Sequence, residues 1–241
     1  NCVAHINLDL IGGKNDELVS RGTSLMEQEG LSEGIIEEFS GVRPVLSTGL
    51  TRAGDESFSG VGVPISMLSR FSSKLDAKIN LKIVWEIVQS DRIPVDPIRF
   101  AERTKKMLQE IQKDCSKDFD PQGVLDKLEE LKDALGRLET AMEAYPEQNT
   151  DEILKKVAGG MVRLHYTYGS PYYHDPAYGG YSDLHIFQMM RGVTRENTTP
   201  ATYLMYQTDF KRQCNRQRAE MQKLIEAIDN QIYRWKQEVK Q

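Results

Sequence analysis

The sequence predicts an α/β portion followed by an all-α portion, and three observations carry that division. Over residues 1–92, short apolar runs bounded by glycine alternate with stretches of helical spacing. The run Ile93-Pro94-Val95-Asp96-Pro97 then interrupts the pattern, because proline cannot sit in a helix interior without breaking it. Beyond it, long amphipathic segments dominate, which is the pattern of a helical bundle. The expected domains are therefore residues 1–92 and 96–241.

Val3, Ile6, Leu8, Leu10 and Ile11 form an apolar run closed by Gly12 and Gly13, the signature of a buried strand entering a turn. Asn7 and Asp9 interrupt it two residues apart, so they share one face of that strand. A carboxylate there is costly to bury without a partner. Capping the next turn and ligating a metal are both open readings. Lys14 to Glu29 is polar and without firm period, and reads as loop. Leu31, Ile35, Ile36 and Phe39 then recur at helical spacing, with Ser32 as a cap and Gly41 as a stop. A short extended segment over Val42 to Leu46 leads to a glycine-rich loop, Thr48 to Gly62, and a core strand, Val63 to Leu68. Lys74 to Val88 returns to helical spacing through Leu75, Ile79, Ile83 or Val84, and Ile87.

The second portion reads as about four helices. Ile98 to Ile111 is amphipathic, with Pro97 suited to a first turn. A second helix starts at Asp120-Pro121, runs through Val124, Leu125, Leu128, Leu131, Leu135, Leu138 and Met142, and ends near Tyr145-Pro146. Thr150 and Asp151 open a third, whose Gly159-Gly160 pair marks either a break or a place of close packing. A tyrosine-rich irregular stretch covers Tyr166 to Tyr181. Thr199-Pro200 begins the longest helix, with the stripe Phe210, Cys214, Met221, Leu224 or Ile225, Ile228, Ile232 and Trp235. Its face of Lys211, Arg212, Arg216, Arg218 and Lys223 reads as solvated.

Composition excludes several classes. The 241 residues are 28% charged and 39% hydrophobic with a net charge of −5, which leaves no basic footprint for nucleic acid. No apolar run approaches the ~20 residues needed to span a bilayer. Cys2, Cys115 and Cys214 are too widely spaced for a thiolate zinc site. One disulfide with a free thiol, or inert thiols throughout, both fit. The chain opens directly into a strand, so Asn1 reads as an internal position of something longer, and the lack of a leader carries no information on export.

The N-L-D-L-I-G strand (Asn7 to Gly12) and the segment G-D-E-S-F-S-G-V-G-V-P-I-S-M-L (Gly54 to Leu68) together resemble the di-zinc exopeptidases of the aminopeptidase and glutamate-carboxypeptidase type. The likeness covers roughly the first 70 residues in order, spacing and residue type. It implies that the α/β portion is the end of a zinc-exopeptidase sheet domain. It also implies that Asp9 ligates one of two zinc ions and that Asp55 approaches the substrate's terminal amine, where an acid suits a cation. In such enzymes the metals activate water and clamp the tetrahedral intermediate. The family's remaining ligands and its Glu general base lie upstream of the N-x-D strand, so no catalytic residue is expected in this chain. A later family His, in a motif like H-T-x-x-D-T, has no match after Ser69, where the sequence runs Arg70-Phe71-Ser72-Ser73-Lys74. Either a segment is missing near Phe71 and Ser72 or the site is degenerate.

Ser170-Pro171-Tyr172-Tyr173-His174-Asp175-Pro176 imitates that motif about 100 residues too late; a packed loop histidine is the plainer reading of His174. Tyr166, Tyr168, Tyr172, Tyr173, Tyr178 and Tyr181 suit a binding surface or interface. Arg52 and Glu56 pair with each other at most, His5 reads as structural, and His165 and His185 have no evident partners. The resemblance further implies peptide substrates, a homodimer formed through a helical dimerisation domain of the transferrin-receptor branch, and an extracellular or cell-surface address. The rival expectation is a non-catalytic receptor-like or scaffold relative with the same fold. A weaker third is a helical interaction protein whose start only mimics the motif.

Overall fold

The computed structural model describes residues 2–8, 21–24, 28–47, 62–63, 65–69, 74–167 and 183–239. The described residues are mostly helical, and the C-terminal part is all-α. In the N-terminal part, β1 (His5–Leu8), β2 (Arg21–Thr23), β3 (Val45–Ser47) and β4 (Ile65–Ser69) lie in the order β1-β4-β2-β3. β1 runs parallel to β4, and β2 runs parallel to β3 but antiparallel to β4. Strand β2 falls inside the polar stretch expected to be loop. Its Arg-Gly-Thr sequence has no apolar alternation, so only its neighbours β3 and β4 make it a strand.

Helix α1 (Glu29–Ser40) connects β2 to β3. Gly41 ends it as expected, with φ +69° and its N–H donating to the Glu37 carbonyl at 2.9 Å, a left-handed position that favours glycine. Ser32 is not the cap. It sits buried inside the helix, where its hydroxyl lies 3.3 Å from that of Ser24. Helix α2 (Lys74–Gln89) packs on α1, and Ile35, Ile36, Ile79 and Ile83 form a small core with Ile6, Leu31, Leu46 and Ile87 around it. Of the two alternatives on α2, Ile83 is buried and Val84 faces solvent. Together with Leu81, Trp85 and Val88 it makes an exposed apolar stripe opposite the buried one.

Helix α3 (Pro97–Lys113) begins where the proline-bearing run predicts. Asp96 accepts from the Arg99 N–H at 2.9 Å, and Pro97 occupies the first turn. Helices α4 (Gln122–Ala144), α5 (Asp151–Tyr166) and α7 (Pro200–Glu238) complete a four-helix arrangement, in which α7 lies mainly along α4 and also against α5. Thr199 caps α7 by accepting from the Thr202 N–H. The core includes apolar positions that helical spacing foretold, among them Leu128, Leu131, Leu135, Ile228 and Trp235, joined by Phe100 and Leu108 of α3.

Besides β2, two further elements were not foreseen. A 3₁₀ turn, Lys117–Phe119, and the short α6 (His185–Met189) bring Phe119 and Phe187 against Phe210 at ring-centroid distances of 5.5 and 5.7 Å. Tyr203 donates to Asp118 at 2.7 Å and Arg195 pairs with the same carboxylate at 3.0 Å. The three cysteines are free. Burial pushes the thiol of Cys115 up to about 11 and that of Cys214 up to about 12. Among the described residues, no helix is long and apolar enough to cross a membrane.

Candidate functional site

Parallel pairing of β1 with β4 sets Leu8 opposite Ser69, so the two strands finish side by side at one edge of the sheet. Carboxyl ends of adjacent parallel strands are where open sheets usually place ligands. Asp9, Asp55, Arg52, Glu56 and His174 lie outside the described residues, as do Tyr168, Tyr172, Tyr173, Tyr178 and Tyr181. His5, on β1, is half-buried. Among the described residues, no group of three or more His, Cys, Asp or Glu side chains could hold a metal ion.

The segment leading into β4 is seated on the helical part. Gly62 has φ +80°, and Val63 beside it is buried. A Cβ on Gly62 would fall 2.7 Å from the Gly159 carbonyl oxygen, 2.9 Å from the Gly159 Cα and 2.6 Å from Arg163 Nη1. Helix α5 is continuous through Gly159-Gly160, so the pair marks close packing and not a break. Each glycine admits a different neighbour. Gly159 faces the Gly62 backbone, while a Cβ on Gly160 would lie 2.6 Å from Leu224 Cδ2 of α7.

A second junction is ionic. Glu29, in the first turn of α1 and 1% exposed, meets two arginines of α3. Arg99 Nη2 lies 3.3 Å from one of its oxygens, and Arg103 Nη1 contacts both. Arg99 also donates to Glu33 at 2.9 Å, and Arg43 reaches the same Glu33 oxygen at 3.2 Å. Burial alone would raise the Glu33 carboxyl, but hydrogen bonds from Arg99 and Arg43 and their charges outweigh it and hold it below its ordinary value.

At the end of α5, His165 is 1% exposed and does have partners. Thr104 Oγ1 lies 3.3 Å from its Nδ1, Phe100 packs edge-on at 5.4 Å, and Asp183 stands 3.9 Å from Nε2. Arg216, expected on the solvated face of α7, turns inward instead and donates to the Thr167 carbonyl. Gln217 donates to the Leu164 carbonyl. Gln217 thus satisfies a carbonyl in the last turn of α5, and Arg216 one on the residue that follows the helix. Neither contact was readable in the sequence, since each joins residues 49 or more positions apart.

No family model, no curated protein and no solved structure matches this chain.

Proposed function

We propose that this chain is the C-terminal part of a zinc-dependent exopeptidase, an aminopeptidase, in which Asp9 supplies one zinc ligand and Asp55 pairs with the terminal amine of a peptide substrate. On this reading the strands belong to the enzyme's α/β sheet. The bundle of α3, α4, α5 and α7 serves homodimerisation, and the protein works outside the cell or at its surface. The observation that carries the reading is the parallel pairing of β1 with β4, Leu8 against Ser69. It aligns the carboxyl ends of two strands whose sequences, N-L-D-L-I-G and G-V-P-I-S-M-L, resemble that family's metal-binding strand and the core strand that its substrate-bordering loop leads into.

A second reading, a receptor-like relative without catalysis, draws support from the absence of histidine between Ser69 and Leu75. Zinc content and hydrolysis of aminoacyl-4-nitroanilides separate the two, measured on the full gene product and its Asp9→Asn form. The enzyme reading expects bound zinc that falls in the variant and activity lower by at least about 100-fold, with unchanged circular dichroism. A full gene product that binds no zinc and hydrolyses nothing overturns it in favour of the receptor-like reading.

A further inference from the structure

We propose that helix α2 docks against α2 of a second copy of this chain, antiparallel, through the stripe Ala77, Leu81, Val84, Trp85 and Val88. The proposal goes beyond the exopeptidase reading and does not depend on it, since that reading assigns pairing to the bundle and α2 lies in the strand-bearing part. The five positions follow one another at spacings of four, three, one and three, which sets them on one side of a helix. They extend over about 17 Å of the helix axis. The opposite side of α2 already has its partner in the core of Ile35, Ile36, Ile79 and Ile83. Leu81 and Val88 keep 69% of their surface and Trp85 keeps 57%, with Ala77 and Val84 exposed between and beside them. A contiguous apolar face with a tryptophan at its middle is the composition of an association surface.

The charges beside the stripe select its occupant. Lys78, Lys82, Glu86 and Gln89 border it along one side, and Lys82 Nζ lies 2.6 Å from Glu86 Oε1. The cations come first along the helix and the anion follows. A two-fold axis perpendicular to α2 near Val84 and Trp85 brings this border against its own copy in reversed order. Lys82 then meets Glu86 of the second copy, Leu81 meets Val88 of the second copy, and the two ion pairs close a square of alternating charge. Parallel packing would instead set lysine against lysine and glutamate against glutamate. A border that is complementary to itself only when reversed is what a surface that meets its own copy requires.

Light scattering across a concentration series, on the full gene product, reads the mass. Wild type is expected to reach twice the mass of Trp85→Glu, which sets a charge in the middle of the face and should weaken association at least about 30-fold. Where the bundle pairs as well, the same ratio appears as tetramer against dimer. Circular dichroism of the variant is expected to match wild type, because the substituted side chain faces solvent in the single chain. Charge-swapped chains give the specific test. Lys82→Glu makes the square wholly acidic and Glu86→Lys makes it wholly basic, so each alone is expected to associate several-fold more weakly than wild type. An equimolar mixture of the two restores the alternation and is expected to recover association as mixed pairs. Equal masses for wild type and Trp85→Glu throughout the series overturn the proposal, and so does a mixture that associates no better than its components. A thermal midpoint that falls in Trp85→Glu without a change of mass shows the face buried within one gene product, and overturns it too. Absence of peptidase activity bears on the exopeptidase reading alone, because the masses still decide whether α2 meets its copy.

Discussion

Removing the charge of Glu29 and removing its arginines should have unequal costs. The Glu29 side chain retains 2% of its surface, whereas those of Arg99 and Arg103 retain 29% and 40%. The carboxylate is thus the desolvated member, and the cations are half wet. Glu29→Gln keeps the shape, deletes the buried charge and leaves arginines that water can solvate. The loss is that of two charge-assisted hydrogen bonds weakened to neutral ones, about 1–2 kcal/mol. Arg99→Met with Arg103→Met leaves the carboxylate inside without a cation at ion-pair distance. Each pair contributes about 4 kcal/mol of attraction at an effective dielectric of about 20, and stranding a buried charge costs a net of about 3–5 kcal/mol. Urea unfolding at pH 7, followed by tryptophan fluorescence and far-ultraviolet circular dichroism, measures both. Adding Glu29→Gln to the double methionine variant should recover about 2 kcal/mol, because the stranded charge is gone. The reasoning is refuted if Glu29→Gln costs as much as the double variant, or if the triple variant recovers nothing.

The remaining predictions concern acid and thiols. The Glu33 carboxyl is held below its ordinary value in the folded chain, so its stabilisation is complete above the unfolded value of about 4.3 and is lost as pH falls through the lower, folded value. The urea midpoints of wild type and Glu33→Gln should therefore differ at pH 6 and converge as the pH is lowered; a gap that stays constant on acidification contradicts the assignment. Cys2 is exposed, whereas burial lifts the thiols of Cys115 and Cys214 to about 11 and about 12. A disulfide reagent at pH 8 should therefore label one thiol quickly and the other two only on unfolding, as mass spectrometry of the labelled peptides will register.

What could be read from the sequence follows the range of the forces involved. Helix positions came from apolar spacing and local chemistry: Pro97 in a first turn, Thr199 before Pro200, Gly41 after Ser40. These signals act within a turn or two, so a single chain displays them. Strand β2 escaped because three residues of Arg-Gly-Thr take their conformation from β3 and β4. Glu29 gave no sign of its burial because its arginines lie 70 and 74 positions away. The Gly159-Gly160 pair was visible as a place of close packing, but Gly62 and Leu224 as its two occupants were not. Of the candidate site, the strands bearing the two motifs were legible, and their pairing in parallel was not. Asp9 and Asp55 lie outside the described residues, and their roles rest on motif order.

The 39-residue helix α7 also has a consequence for how the chain is made. It supplies Phe210, Met221, Leu224, Ile228 and Trp235 to a core whose other walls are α3, α4 and α5. Those three helices leave the ribosome first, with apolar faces that α7 covers in the finished chain. At roughly 5–20 residues per second, synthesis of α7 alone takes about 2–8 s. For that interval the nascent bundle is an open trough, exposed to chaperones and to neighbouring chains alike. Slow codons within the stretch encoding Pro200–Glu238 would lengthen the exposure without altering a single residue of the finished protein.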